Sequence, residues 1–292
     1  MNPFRGTLTA LVTPFRDGQL DLDALDAHVQ RQIDAGVDGL VPCGTTGESP
    51  TLSVEEYAQV IQHVVRTTAG RVPVLAGAGT NSTSRTLTLA QTATECGATG
   101  LLLVAPYYNK PPQEGLYQHF STVARSTPLP IVLYNIPGRC GVEIAIDTLR
   151  RLFDDHENIV VVKHATGNVA SAADLRATCG IDVLSGDDPL TLPLMSVGAV
   201  GVISVLSNIF PTAVKRLTTA ALAGDYAAAL AAHRATYRLA WALLSLETNP
   251  IPIKTAMALR GWCRNEFRLP LCPLSAAQRE RLEALLAESD LS

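Results

Sequence analysis

Along this chain, short apolar runs alternate with stretches in which apolar residues return every three or four positions. The runs cover residues 8–13, 39–43, 72–76, 100–105, 130–135, 159–163, 181–185 and 201–205. They are continuous rather than alternating, which is the pattern of strands covered on both faces, as in a parallel sheet. Between them, Leu22, Leu25, Val29 and Ile33 keep the spacing of one helical face, and so do Val60, Ile61, Val64 and Val65. Ser53 with Glu56 reads as a capping box, so a helix is predicted over residues 54–66. Eight strand–helix alternations, roughly 20–33 residues apart, fit an α/β fold closed as a (β/α)8 TIM barrel. An open doubly wound sheet is the alternative. It usually needs fewer strands in this length, and no glycine fingerprint follows the first strand.

The barrel is expected over residues 1–225, carrying the active site, with a C-terminal helical region over 226–292. Helices are predicted there at 226–247, 253–259 and 275–288, punctuated by Pro250, Pro252, Pro270 and Pro273. Composition adds limits. With 292 residues, 47% hydrophobic and 17% charged, a large core is expected rather than disorder. The net charge is −4 with no basic block, which argues against nucleic acid as a partner. Apolar runs such as 100–105 are too short to span a bilayer, so no membrane partner is expected. The N-terminal stretch has an early Arg and no signal-type apolar region, and a cytoplasmic protein is predicted. Six cysteines lack any CxxC pair and six histidines form no HxxH or HxxxH set, so free thiols and no zinc are expected. Gly77-Ala78-Gly79-Thr80 lacks the ending of a phosphate loop. Asp187-Asp188 reads as strand-end capping rather than a metal site. Neither metal nor cofactor is expected.

Candidate chemistry follows from the barrel, because such sites lie where strands end at their carboxyl side. Lys163 ends the run Ile159-Val160-Val161-Val162 and is one of only 4 lysines. An ammonium there either snorkels to solvent or, desolvated, becomes an amine that can form a Schiff base. Gly44-Thr45-Thr46-Gly47-Glu48 follows the second strand. It reads either as a plain turn or as a nest of backbone and hydroxyl donors suited to a carboxylate. Tyr134 is either a core tyrosine or a proton carrier near the amine. Arg139, past the Pro137-Gly138 turn, is either a surface ion-pair partner or a fork for a substrate carboxylate.

Taken together these strand ends resemble the dihydrodipicolinate synthase family, in the pyruvate-dependent class I aldolase superfamily that includes N-acetylneuraminate lyase. The resemblance runs from about residue 6 to 273. It rests on Gly44-Thr45-Thr46-Gly47-Glu48-Ser49, Pro106-Tyr107-Tyr108-Asn109-Lys110-Pro111, Gln113-Glu114-Gly115-Leu116-Tyr117, Tyr134-Asn135-Ile136-Pro137-Gly138-Arg139, Lys163-His164-Ala165-Thr166-Gly167, Leu184-Ser185-Gly186-Asp187-Asp188 and Asn249-Pro250-Ile251-Pro252-Ile253-Lys254.

It implies that Lys163 forms an imine with pyruvate, whose enamine attacks L-aspartate 4-semialdehyde on the diaminopimelate route to lysine. Tyr134, Thr45 and Tyr108 would relay protons, with Tyr108 supplied by a neighbouring subunit of a homotetramer. Thr45 and Thr46 would hold the pyruvate carboxylate, Arg139 the carboxylate of the aldehyde, and Gly186 and Ile203 would line the site. The alternative within the superfamily is a lyase for a keto-deoxy sugar acid, but those sequences usually lack an arginine at the position of Arg139. His164 stands where the family usually has an acid. Ser49, Asn81 and Tyr107 match a site at which lysine binds feedback-regulated members. Val54, Tyr57 and Arg85 depart from its usual His, His and Glu, so weak or no inhibition by L-lysine is expected.

Overall fold

In the computed structural model, which describes residues 2–289 and 291, eight strands make one parallel sheet. They are β1 (Gly6–Ala10), β2 (Gly39–Val41), β3 (Leu75–Gly77), β4 (Gly100–Val104), β5 (Ile131–Asn135), β6 (Ile159–His164), β7 (Asp182–Ser185) and β8 (Gly201–Ser204). β1 pairs with both β2 and β8, so the sheet turns back on itself. The remaining seam, β2 to β3, is a parallel bridge between Leu40 and Val74. The amides of Leu40 and Gly77 strengthen it by donating to the carbonyls of Pro73 and Pro42, each at 3.0 Å. The open-sheet alternative is thereby excluded.

Most strands are shorter than the apolar runs that predict them, because the ends of the runs leave the ladder to build the rim. The first run continues to residue 13, yet Val12 N–H already donates to the Asn208 side chain at 3.1 Å instead of to a strand. A two-residue hairpin, Phe15–Arg16 against Gln19–Leu20, follows. It is too short for any hydrophobic period to reveal.

Side-chain alternation divides the strands into two buried layers. Leu8, Val41, Leu75, Leu102, Val132, Val161, Leu184 and Ile203 fill the barrel interior. Leu40, Leu101, Leu103, Leu133, Val162 and Val183 face outward under the helices. Both layers are apolar, hence the continuous runs. The capping box is complete: Ser53 and Glu56 each accept the other's backbone N–H at the start of helix Val54–Thr68.

The C-terminal helices are Tyr226–Ser245, Ile251–Leu259 and Ala276–Glu288. The second begins two residues before its predicted start, with Pro252 in the first turn, where a missing N–H costs nothing. Leu239, Leu243, Ile253, Met257 and Leu282 pack with Val12, Val202, Leu206 and Phe210 in one apolar cluster. Among the described residues no helix is long and apolar enough to cross a membrane.

Candidate active site

β6 delivers Lys163. Its parity matches Val161, so the side chain enters the barrel interior, where it is 6% exposed. Its register partner on β5 is Tyr134, and the Lys163 Nζ lies 4.0 Å from the centre of the Tyr134 ring. Burial lowers the Lys163 pKa to about 8, outweighing Asp187 and Asp188, which raise it; Arg139 lowers it further. Among the described residues Lys163 forms no ion pair. Such an amine is about one-tenth neutral at pH 7, far more than an ordinary lysine. Burial pushes the Tyr134 phenol upward, so its hydroxyl keeps its proton at pH 7.

β7 ends beside them. The Gly186 N–H donates to the His164 carbonyl at 2.8 Å. A Cβ on Gly186 would sit 2.6 Å from Ala165 Cβ and 3.2 Å from Lys163 Cε, so this wall of the site has no room for a side chain. Ile203 on β8 is fully buried in the interior layer. Asp188 accepts the Val205 and Leu206 amides at 2.8 and 3.0 Å, together with the Ser204 hydroxyl. It therefore caps a turn after β8, which is the capping role read from sequence, though on a different strand end. Both Asp187 and Asp188 carboxyls have pKa values raised by burial, and their charges act on Lys163. That electrostatic role was not legible in the sequence.

The loop after β2 carries Thr45 and Thr46. The Gly47 and Glu48 amides donate to the Gly44 and Thr45 carbonyls, each at 3.1 Å, so the loop is a tight turn. The Thr13 hydroxyl donates to the Gly47 carbonyl at 2.8 Å. Thr46 is buried and accepts from Asn249 Nδ2 at 3.0 Å, while Thr45 is partly exposed. Arg139 lies in a one-turn helix, Pro137–Cys140, and is held by the Asn249 carbonyl at 3.1 Å and the Thr248 hydroxyl at 3.3 Å. Asn249 thus touches both candidate carboxylate anchors. Chain composition gave no hint of this, because 203 residues separate Asn249 from Thr46.

A cavity of about 270 Å³ adjoins the loop, its lining including Thr45, Ile136 and Arg139 together with Ser49, Val54, Tyr57, Arg85 and Tyr107. Lys163 and Tyr134 do not line it. Asn81 is also outside, its carbonyl accepting from Asn109 Nδ2 at 2.9 Å. Tyr108 is 89% exposed with a left-handed φ of 74°, so its ring is not packed into the site of its own chain. His164 faces away from Lys163, its Nε2 2.8 Å from the Ser171 hydroxyl oxygen. Cys43 and Cys140 are buried thiols with pKa values raised by burial, which makes them poor nucleophiles. Among the described residues no group of His, Cys, Asp and Glu could hold a metal ion.

The sequence matches the Dihydrodipicolinate synthetase family over residues 3–289. It is 49% identical over 290 residues to the 4-hydroxy-tetrahydrodipicolinate synthase of Geobacter metallireducens, covering 99% of each chain. The fold superposes on the crystal structure of dihydrodipicolinate synthase from Aquifex aeolicus with a TM-score of 0.97 at 46% identity, covering 99% of each. It also matches, with a TM-score of 0.96 at 36% identity and full coverage of both chains, the enzyme from Cyanidioschyzon merolae crystallised with lysine bound.

Proposed function

The chain belongs to the dihydrodipicolinate synthetase family, and from that membership and its buried amine we infer that it is a 4-hydroxy-tetrahydrodipicolinate synthase, condensing pyruvate with L-aspartate 4-semialdehyde. The observation that carries the reading is Lys163: an amine inside the barrel, its pKa lowered to about 8, in contact with a protonated tyrosine.

Neutral Lys163 attacks the ketone carbon of pyruvate, and loss of water gives the imine. Removal of a methyl proton gives the enamine, whose carbon attacks the aldehyde of the second substrate. The amino group of that substrate then displaces Lys163 from the imine carbon, closing the ring and freeing the amine. Each step moves a proton, and Tyr134, whose ring packs against the Lys163 amine, supplies the hydroxyl that carries it. Thr45 extends the relay toward the rim. The hydroxyl and amide donors of Thr45 and Thr46 hold the pyruvate carboxylate, and the Arg139 fork holds that of the aldehyde. Gly186, lacking a side chain, leaves space beside the imine, and Ile203 lines the site with it.

Tyr108, projecting from its own chain, completes the relay from a neighbouring subunit of a homotetramer. Its left-handed backbone is the kind of local cost a chain bears where a side chain must be aimed. The cytoplasm is the compartment that suits such a biosynthetic enzyme.

Borohydride reduction in the presence of pyruvate, followed by mass analysis, tests the reading. A pyruvate adduct on Lys163 and product formation with aspartate semialdehyde are expected. An adduct without condensation, accompanied by cleavage of a keto-deoxy sugar acid, would instead make this a lyase of the same superfamily. No adduct at all would leave a barrel without this chemistry.

A further inference from the structure

Glu48 and Lys254 form an ion pair at 2.6 Å in which neither side chain has any exposure. Breaking one partner of such a pair is destabilising, but replacing both by neutral groups of similar volume is commonly harmless to stability. Stability alone therefore does not account for the pair, and its surroundings supply a role in geometry. Glu48 ends the turn that carries Thr45 and Thr46, with its N–H on the Thr45 carbonyl and a left-handed φ of 54°. Both carboxylate oxygens are held from the C-terminal segment: Oε1 by Lys254 Nζ, and Oε2 by the Arg268 amide at 3.3 Å. The Lys254 Nζ lies 4.1 Å from the centre of the Phe15 ring, which fixes the ammonium against the hairpin after β1.

We propose that Lys254, acting through Glu48, is a positioning residue for the Thr45–Thr46 loop, so that the C-terminal helical segment sets how tightly the substrate carboxylate is held. This rests on the reading that pyruvate binds with its carboxylate on that loop. Shortly before Lys254 in the chain comes Asn249, which bonds both Thr46 and Arg139, so a shift of this segment displaces both anchors. Lys254 itself touches no substrate.

The test is the double variant Glu48→Gln/Lys254→Met, which removes both charges at similar volume. Half-saturating pyruvate is measured from the borohydride-trapped Lys163 adduct, beside the thermal unfolding midpoint. The expected result is full adduct at saturating pyruvate but half-saturation raised about tenfold or more, as for loss of ground-state binding. Unchanged half-saturation would overturn the proposal whatever the unfolding midpoint does, since a purely structural pair shifts only the midpoint. Should the double variant not fold, Glu48→Asp keeps the charge and shortens the reach by one methylene. In that variant too, raised half-saturation is expected and an unchanged value would overturn the proposal. Absence of adduct in the unaltered protein would instead remove the functional reading, and this inference with it.

Discussion

At the scale of single residues the chemistry turns on protonation. The Lys163 pKa of about 8 lies below the ordinary ~10.4 of lysine because burial penalises the charged form. Imine formation with pyruvate should accordingly slow as pH falls below 8, approaching tenfold per unit; a flat profile between pH 6 and 9 in single-turnover trapping would contradict it. The same shift has a sign for stability. The unfolded chain binds the Lys163 proton more tightly, so this residue makes the fold more stable as pH rises from about 8 toward ~10.4. Tyr134→Phe keeps the ring beside the amine but loses the proton carrier, and turnover should fall by roughly 10²–10⁴ while pyruvate protection of Lys163 persists. Arg139→Ala should lower kcat/KM for the aldehyde by about 10–100-fold, the equivalent of ~1.5–3 kcal/mol of charge-assisted hydrogen bonding, and leave the pyruvate adduct intact. Loss of that adduct would contradict the role given to Arg139. Of these residues, Lys163 was legible in sequence from its strand, whereas the influence of Asp187 and Asp188 was not, because it depends on β6 and β7 lying side by side.

At the scale of elements, strands and helices were largely legible and their ends were not. The capping box at Ser53 is a local device and appears as expected. Strand ends depend on the neighbouring strand: the apolar run 181–185 yields a strand only over Asp182–Ser185, and the first run stops pairing where Asn208 takes the Val12 amide. The turn after β7 shows the same dependence. Nothing in Ser185-Gly186-Asp187 by itself says that a Cβ at 186 would meet Ala165 and Lys163. Gly186→Ala should therefore slow adduct formation on Lys163 while leaving the far-ultraviolet circular dichroism unchanged. A wild-type trapping rate in that variant would mean that the wall yields more freely than the structure implies.

At the scale of the whole molecule, Tyr108 is exposed on its own chain, and the cavity beside Thr45 is shared with residues of the candidate effector site. If Tyr108 serves a neighbouring subunit, mixing a Tyr108→Phe variant with a Lys163→Ala variant and allowing subunits to exchange should restore about a quarter of wild-type activity, because half the pairs then hold one complete site of two. Mixtures no more active than the variants apart would place Tyr108 outside the relay. The cavity carries Arg85, Val54 and Tyr57 beside Ser49 and Tyr107, and the Arg85 guanidinium would repel the ammonium of an effector bound there. L-lysine should therefore inhibit weakly or not at all; half-maximal inhibition at sub-millimolar lysine in a coupled assay would refute this. The sequence by itself determined eight strands buried on both faces, since two-sided burial writes continuous apolar runs into each of them, and it singled out Lys163 as a candidate amine; that the strands close into a barrel was decided by the pairing of β1 with both β2 and β8. Only the tertiary structure decided what surrounds that amine. The carboxylates that oppose its neutralisation, the Asn249 contact that joins Thr46 to Arg139, and the Lys254–Glu48 pair beneath the loop all join segments far apart in the chain, and such pairings arise from barrel closure and helix docking rather than from local spacing.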